Sequence, residues 1–216
     1  LNVITLPDGS PIYAGTYHTT SQWNDILKRI IRLKKDNYNG LKDIAKNVKN
    51  GVKDINTIQK QEEITDFDSE FLKNNIETWK EKWDSKFGGD IAQQKFVSPS
   101  KYLFLLNYAR VYNDEKVLNH VKNTLDIISS SGLNDFVEGG FYRYTVDNEW
   151  KIPHFEKMLY EQAQMISLFS TAYKVFGDES YKNIVDETIT FLNTKMSSKD
   201  GLYFAAMDAD TDGEEG

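Results

Sequence analysis

The chain has no cysteine among its 216 residues, which excludes disulfides, thiol nucleophiles and thiolate metal ligands. That absence fits a reducing compartment, and a cytoplasmic location is expected. No apolar run approaches the ~20 residues of a membrane-spanning helix, and no signal-peptide core opens the chain, so no membrane partner is expected. Excess positive charge is missing too. The net charge of −7 opposes nonspecific attraction to nucleic acid or to anionic membranes.

What remains is sufficient for a packed core, as one domain or two, with 39% hydrophobic and 13% aromatic residues. Lysines gather between Lys28 and Lys60 and acids between Glu62 and Glu215. The lysine-rich stretch reads either as a docking face or as a solvated helical linker. Before it, residues 1 to 6 read as a strand, Asp8-Gly9 as a hairpin signal and Ile12 to Tyr17 as the returning strand. Thr20 or Ser21 then caps a helix whose inner side carries Trp23, Ile26, Leu27, Ile30 and Ile31. These features divide the chain into 1–36, a linker over 37–65, and 66–216.

The last part repeats itself. A shift of 64 residues aligns VYNDE at 111–115 with VFGDE at 175–179, and Phe104, Val121 and Leu125 with Leu168, Val185 and Ile189. Each unit reads as a glycine-bearing loop, an inner helix, a short turn and an outer helix. Gly88-Gly89 precedes an inner helix over Pro99 to Tyr112, and Gly139-Gly140 precedes one over Pro153 to Phe176. An earlier helix, about Asp68 to Lys86, sets Leu72, Ile76, Trp79 and Trp83 on one face.

Residues 139 to 165, GGFYRYTVDNEWKIPHFEKMLYEQAQM, are the segment densest in chemistry. Pro153 suits a first helical turn, which would put His154 at a helix N-terminus. There the helix dipole keeps an imidazole neutral and able to accept a proton, so His154 reads as a general base or as a structural cap. Arg143 either binds a substrate oxygen or pairs with Asp147 or Glu156. Glu156 and Lys157 form a candidate acid–base pair, although a first-turn glutamate also satisfies the helix dipole. Tyr142, Trp150 and Tyr160 offer either stacking faces for a sugar or core aromatics. His18 and His120 stand apart and take no role. In the tail, Asp208, Asp210, Asp212 and Gly213 match the first half of a calcium loop, but the preceding residues lack the helix that an EF-hand requires. We expect no metal and no cofactor.

The 139–165 segment closely resembles the signature of the thioredoxin-domain-containing proteins related to spermatogenesis-associated protein 20. LPDGSPIYAGTY at 6–17 and DADTDGEEG at 208–216 agree in the same order. The resemblance implies a mainly α chain: a partial (α/α)6 toroid of the six-hairpin glycosidase type over 66–216, preceded by the final β-hairpin and helix of a thioredoxin-like domain over 1–36. The family is longer at both ends, so the rest of the polypeptide, with its cysteine motif, is expected outside this sequence. The first loop departs from the family, reading GGDIAQQKFVSPS where a glycine-, proline- and phenylalanine-rich stretch is usual. Lys157 to Gln162 is also similar, more distantly, to the K-x-x-W-x-Q pattern of sugar 2-epimerases, with Tyr160 in place of tryptophan.

The resemblance points to a rim site that binds or transforms a small carbohydrate, by epimerase-like proton transfer or by glycosidase-like carboxylates. His154, Glu156, Lys157 and Asp208 are its expected catalytic groups. Arg143, Asp147, Trp150, Tyr160, Gln162 and Asp210 are its expected substrate contacts. The competing reading is a scaffold without catalysis, in which the toroid recognises a glycan or protein and the thioredoxin-like part docks or senses redox state.

Overall fold

The computed structural model describes residues 2–57, 69–211 and 214–215, which form two compact units divided near Asp66 and Phe67. Expectations that fall on 58–68, including the end of the linker and Asp68, and on Asp212 and Gly213 lie outside the described residues. No described helix is long and apolar enough to cross a membrane.

In the first unit β1 (Asn2–Thr5) and β2 (Pro11–Gly15) pair antiparallel, with an irregular register at Ile4/Thr5. The turn between them closes where Leu6 N–H donates to the Ser10 carbonyl at 2.8 Å and Gly9 adopts φ +82°. Helix α1 (Thr20–Asp36) starts one residue earlier than a Thr20 cap would place it. Thr19 is the cap, because its hydroxyl accepts from Gln22 N–H while the Gln22 side chain accepts from Thr19 N–H, a reciprocal capping box. Helix α2 (Tyr38–Asn56) occupies most of the stretch read as a linker, and it packs on β2 and α1. Its Leu41 and Ala45 bury against Leu6, with Ile12 and Leu33 partly covered around them.

The second unit is built of helical hairpins. Helix α3 (Ser69–Lys80) is followed by β3 (Lys95–Phe96), α4 (Pro99–Tyr112) and α5 (Glu115–Ser129). After β4 (Tyr144–Thr145), β5 (Pro153–His154) and β6 (Lys157–Met158) come α6 (Leu159–Phe176) and α7 (Glu179–Phe191). A π-helical turn over Leu192–Met196 leads to β7 (Ala206–Met207), β8 (Asp210–Thr211) and β9 (Glu214–Glu215). The inner helices α4 and α6 pack on each other, and each packs on its own outer helix, α5 or α7. Tyr102, Leu105, Leu106, Leu125, Leu168, Phe169 and Tyr181 are fully buried at these contacts. The 64-residue repeat is visible in the turns. Asn113 (φ +52°) ends α4 as Gly177 (φ +68°) ends α6, and Asp114 and Asp178 then cap the outer helices.

Two sequence expectations need correction. The second inner helix begins at Leu159, not at Pro153. Pro153 and His154 instead form the edge strand of a three-stranded sheet ordered β3-β4-β5, where a residue without an N–H is tolerated. His154 therefore does not sit at a helix N-terminus, and the first-turn glutamate is Glu161, not Glu156. The helix before the first loop ends at Lys80, so Trp83 lies beyond it, stacked on His120 with ring centroids 3.9 Å apart.

Candidate functional site

Two glycine loops, before α4 and before α6, share one construction. In the second, the Asp135 Oδ1 accepts the N–H groups of Val137 and Glu138, and Asp135 N–H donates to the Gly140 carbonyl. Lys157 Nζ closes the loop, donating to Asp135 Oδ2 at 2.5 Å and to the Gly139 carbonyl at 2.8 Å. Gly139 and Gly140 hold φ of +86° and +78°, which admit glycine readily. Burial pushes the Asp135 carboxyl up, but Lys157, the two N–H groups and the Tyr142 hydroxyl outweigh it and hold its pKa at about 2. In return, burial and the Asp135 charge push the Tyr142 phenol up to about 12. The Gln162 side chain then clasps Phe141 from α6, accepting its N–H at 2.8 Å and donating to its carbonyl at 2.7 Å.

Beside this loop a cavity of about 250 Å³ is lined by Phe96 to Ser100, by Phe141, Tyr142 and Arg143, and by Tyr160, Glu161, Gln164 and Met165 of α6. Its charged lining residues are Arg143 and Glu161. Arg143 Nη1 donates to Glu156 Oε2 at 2.7 Å, and Arg143 N–H donates to the Glu156 carbonyl. His154 Nε2 lies 3.9 Å from the same Glu156 oxygen, its ring stacked on Tyr144, which in turn stacks on Phe96. Burial pushes the Glu161 carboxyl up to about 7 despite the opposing charge of Arg143, and its Oε2 is buried without a hydrogen-bond partner. A carboxyl in that range exchanges protons at neutral pH.

The residues singled out from sequence therefore separate into groups. Arg143, Glu156 and His154 come together, and Tyr160 joins Arg143 in the cavity wall. Lys157 and Asp208 share a different cavity of about 350 Å³ with Asp135, Glu138 and Phe155, which meets the first only through Tyr142. Lys157 is 3% exposed and committed to Asp135 and Gly139. Asp210 is exposed and donates its N–H to Asp208 Oδ1. Trp150 is buried at φ +63°, with its indole N–H donated to the Phe87 carbonyl of the first loop. Asp147 organises its own turn, accepting the N–H groups of Glu149, Lys151 and Ile152. Burial raises its pKa less than those three bonds lower it. Among the described residues, no group of three or more histidines and carboxylates is placed to hold a metal.

Two participants were missed in the sequence. Glu161 reads from sequence as one polar residue beside the face of Glu156 and Tyr160, and only the helix start at Leu159 puts it in the first turn. Asp135 was detectable: DSKFGG at 84–89 and DFVEGG at 135–140 match in their aspartate and paired glycines.

Comparison with known proteins agrees with this architecture. No family model matches the chain. Spermatogenesis-associated protein 20 of Homo sapiens is 29% identical over 100% of this chain and 29% of its own length. An uncharacterised protein of Caenorhabditis elegans is 30% identical over 98% of this chain and 30% of its own length. The chain thus spans about three tenths of these relatives. Among solved structures, a sugar epimerase from a ruminal bacterium superposes with TM-score 0.55 at 23% identity, over 62% of this chain and 37% of the epimerase. Cellobiose 2-epimerase from Spirochaeta thermophila gives 0.54 at 18%, over 62% of this chain and 36% of that enzyme. At such identity the likeness carries the fold and not the activity. The chain is a relative of spermatogenesis-associated protein 20, and its helical hairpins form part of an (α/α)6 toroid.

Proposed function

We propose that the cavity beside Arg143 binds a small carbohydrate and belongs to a toroid that transforms it, in an epimerase-like or glycosidase-like reaction. The observation that carries this reading is the composition of the wall. Phe96, Tyr142 and Tyr160 supply aromatic surface for the C–H faces of a sugar, while Arg143, Ser98, Ser100 and Gln164 supply hydrogen-bonding groups for its oxygens. Its volume of about 250 Å³ falls below the ~300–1,000 Å³ of ordinary ligand sites, as suits a chain spanning 29% of its human relative. The remaining wall would come from other hairpins. The sugar epimerase and the cellobiose 2-epimerase among the structural neighbours support the same class. Within this reading β1, β2 and α1 are the end of a thioredoxin-like domain.

The test is calorimetric titration of the natural full polypeptide against a panel of mono- and disaccharides. We expect one sugar class to bind, and Arg143→Ala to weaken it about 10- to 100-fold, the loss of a charged hydrogen bond worth ~1.5–3 kcal/mol. No binding to any sugar removes the reading. The scaffold alternative draws on the internal use of Lys157, Gln162, Trp150 and Asp147. It predicts binding of a glycan or protein partner without turnover.

A further inference from the structure

The carboxyl of Glu161 has no place in the loop construction described above. It sits in the first turn of α6, lines the cavity, and leaves Oε2 buried and without a hydrogen-bond partner. A buried acceptor with no partner costs free energy that a structural role would have removed. The charged and titratable groups that face it are Arg143, Tyr160 and Glu156. Arg143 is turned toward Glu156, so it stays close to Glu161 without neutralising it.

We propose that Glu161 is the proton-transfer residue of this cavity, acting on a carbon next to a sugar carbonyl whose oxygen Arg143 holds. The proposal rests on the carbohydrate reading and adds the reacting group. In the forward step the Glu161 carboxylate takes the proton from that carbon. The C–H electron pair becomes a C=C bond, and the carbonyl π pair moves onto oxygen beside the Arg143 guanidinium. Return of the proton to carbon restores the carbonyl, so the step needs no oxidant, reductant or metal. With a pKa near neutrality from burial, the carboxyl is matched to both directions of that exchange. Tyr160 and Tyr142 flank it, and neither supplies a second base at neutral pH.

The experiment follows deuterium from solvent into the sugar carbon next to the carbonyl by NMR, with the natural full polypeptide and the sugars that it binds calorimetrically. We expect incorporation by the unaltered protein with an inflection near pH 7. Glu161→Gln, which keeps shape and hydrogen bonding, should lose about 10²–10⁴-fold in incorporation while keeping sugar affinity within a few fold, and Glu161→Asp should recover part of the loss. Equal incorporation by Glu161→Gln at retained affinity overturns the proposal and leaves the carbohydrate reading intact. Binding without any incorporation by the unaltered protein overturns it as well. If no sugar binds, the carbohydrate reading and this proposal fall together, whereas a ¹³C-labelled Glu161 carboxyl that titrates near 4 in a protein that still binds sugar overturns the proposal alone.

Discussion

The loops before α4 and α6 make the same bonds from different lengths of chain. Asp84 accepts the N–H groups of Lys86 and Phe87 and donates its own to the Gly89 carbonyl, as Asp135 does with Val137, Glu138 and Gly140. Lys95 joins Asp84 Oδ2 to the Gly88 carbonyl as Lys157 joins Asp135 Oδ2 to the Gly139 carbonyl. Lys95 follows its aspartate by 11 residues, however, and Lys157 by 22. The longer connection contains β4, the Asp147 turn and β5, and with them Arg143, His154 and Glu156. The shared bonds therefore belong to the fold, and the groups available for chemistry come from the extra length of the second loop and from the helix that follows it. One indole ties the two loops together, since Trp150 from the longer connection donates to Phe87 of the shorter one.

The largest effects should appear where the loops are alike. Replacing Lys157 by Met leaves Asp135 buried and unpaired, and removal of one partner of a buried pair costs ~3–5 kcal/mol, readable by urea denaturation. Lys95→Met should cost somewhat less, because the Asp84 side chain is 13% exposed against 7% for Asp135. Equal losses would erase that distinction. Next comes the clasp on the residue after the glycines. Gln162→Leu orphans both the N–H and the carbonyl of Phe141, for about 2–6 kcal/mol, built from ~1–3 for each buried group. In the first loop Thr124→Val orphans one group, the Gly89 N–H that donates to Thr124 Oγ1 at 2.9 Å, and should cost about half as much. Among the glycines the order reverses. A Cβ at Gly88 would stand 2.8 Å from the Thr124 Cα, and one at Gly139 would stand 3.1 Å from the Glu187 carbonyl oxygen. Both alanine variants meet the ~1–2 kcal/mol penalty of left-handed backbone, and Gly88→Ala should exceed Gly139→Ala.

Acid and base separate loop from cavity by sign. The Asp135 pKa is depressed to about 2, so its contribution to stability is present above the unfolded value of ~3.9 and is lost as pH falls toward 2. Glu161 is raised to about 7, so the folded state binds more protons than the unfolded state between ~4.3 and 7, and its contribution is lost as pH rises through that window. Glu161→Gln should therefore gain stability relative to the unaltered protein at pH 8 compared with pH 4, measured as the difference in urea midpoints. A constant difference across that range would place the carboxyl in an ordinary environment.

Much of the fold was legible because periodicity and turns repeat. The 64-residue shift found both helical hairpins, and α4 spans the very residues its apolar spacing marked, Pro99 to Tyr112. The site was harder to see because no single shift describes it. Helix ends align at 64 residues, the paired glycines at 51 and the closing lysines at 62, since the extra length of the second loop lies between glycines and lysine. The helix start failed for a local reason. Pro153 is compatible with a first helical turn and with a sheet edge alike, and its pairing with Thr145 decides between them through contacts eight residues away. Trp150, which the sequence offers as either a stacking face or a core aromatic, packs as the second beneath Gly89, where a Cβ would lie 3.0 Å from its ring.

The smallest effect on stability is expected at Arg143, and that is why it is informative. Its side chain is 39% exposed and its pair with Glu156 lies at the surface of the second loop, where such pairs contribute ~0–1 kcal/mol. Glu156 lifts the guanidinium pKa further, so the charge persists at every accessible pH. Arg143→Ala should therefore leave the urea midpoint nearly unchanged, in contrast to Lys157→Met 14 residues further along the same connection. If its loss instead destabilises the protein as severely as Lys157→Met, Arg143 belongs with the bonds that the two loops share. A stable Arg143→Ala variant that no longer binds ligand would locate recognition in the extra length that only the second loop possesses.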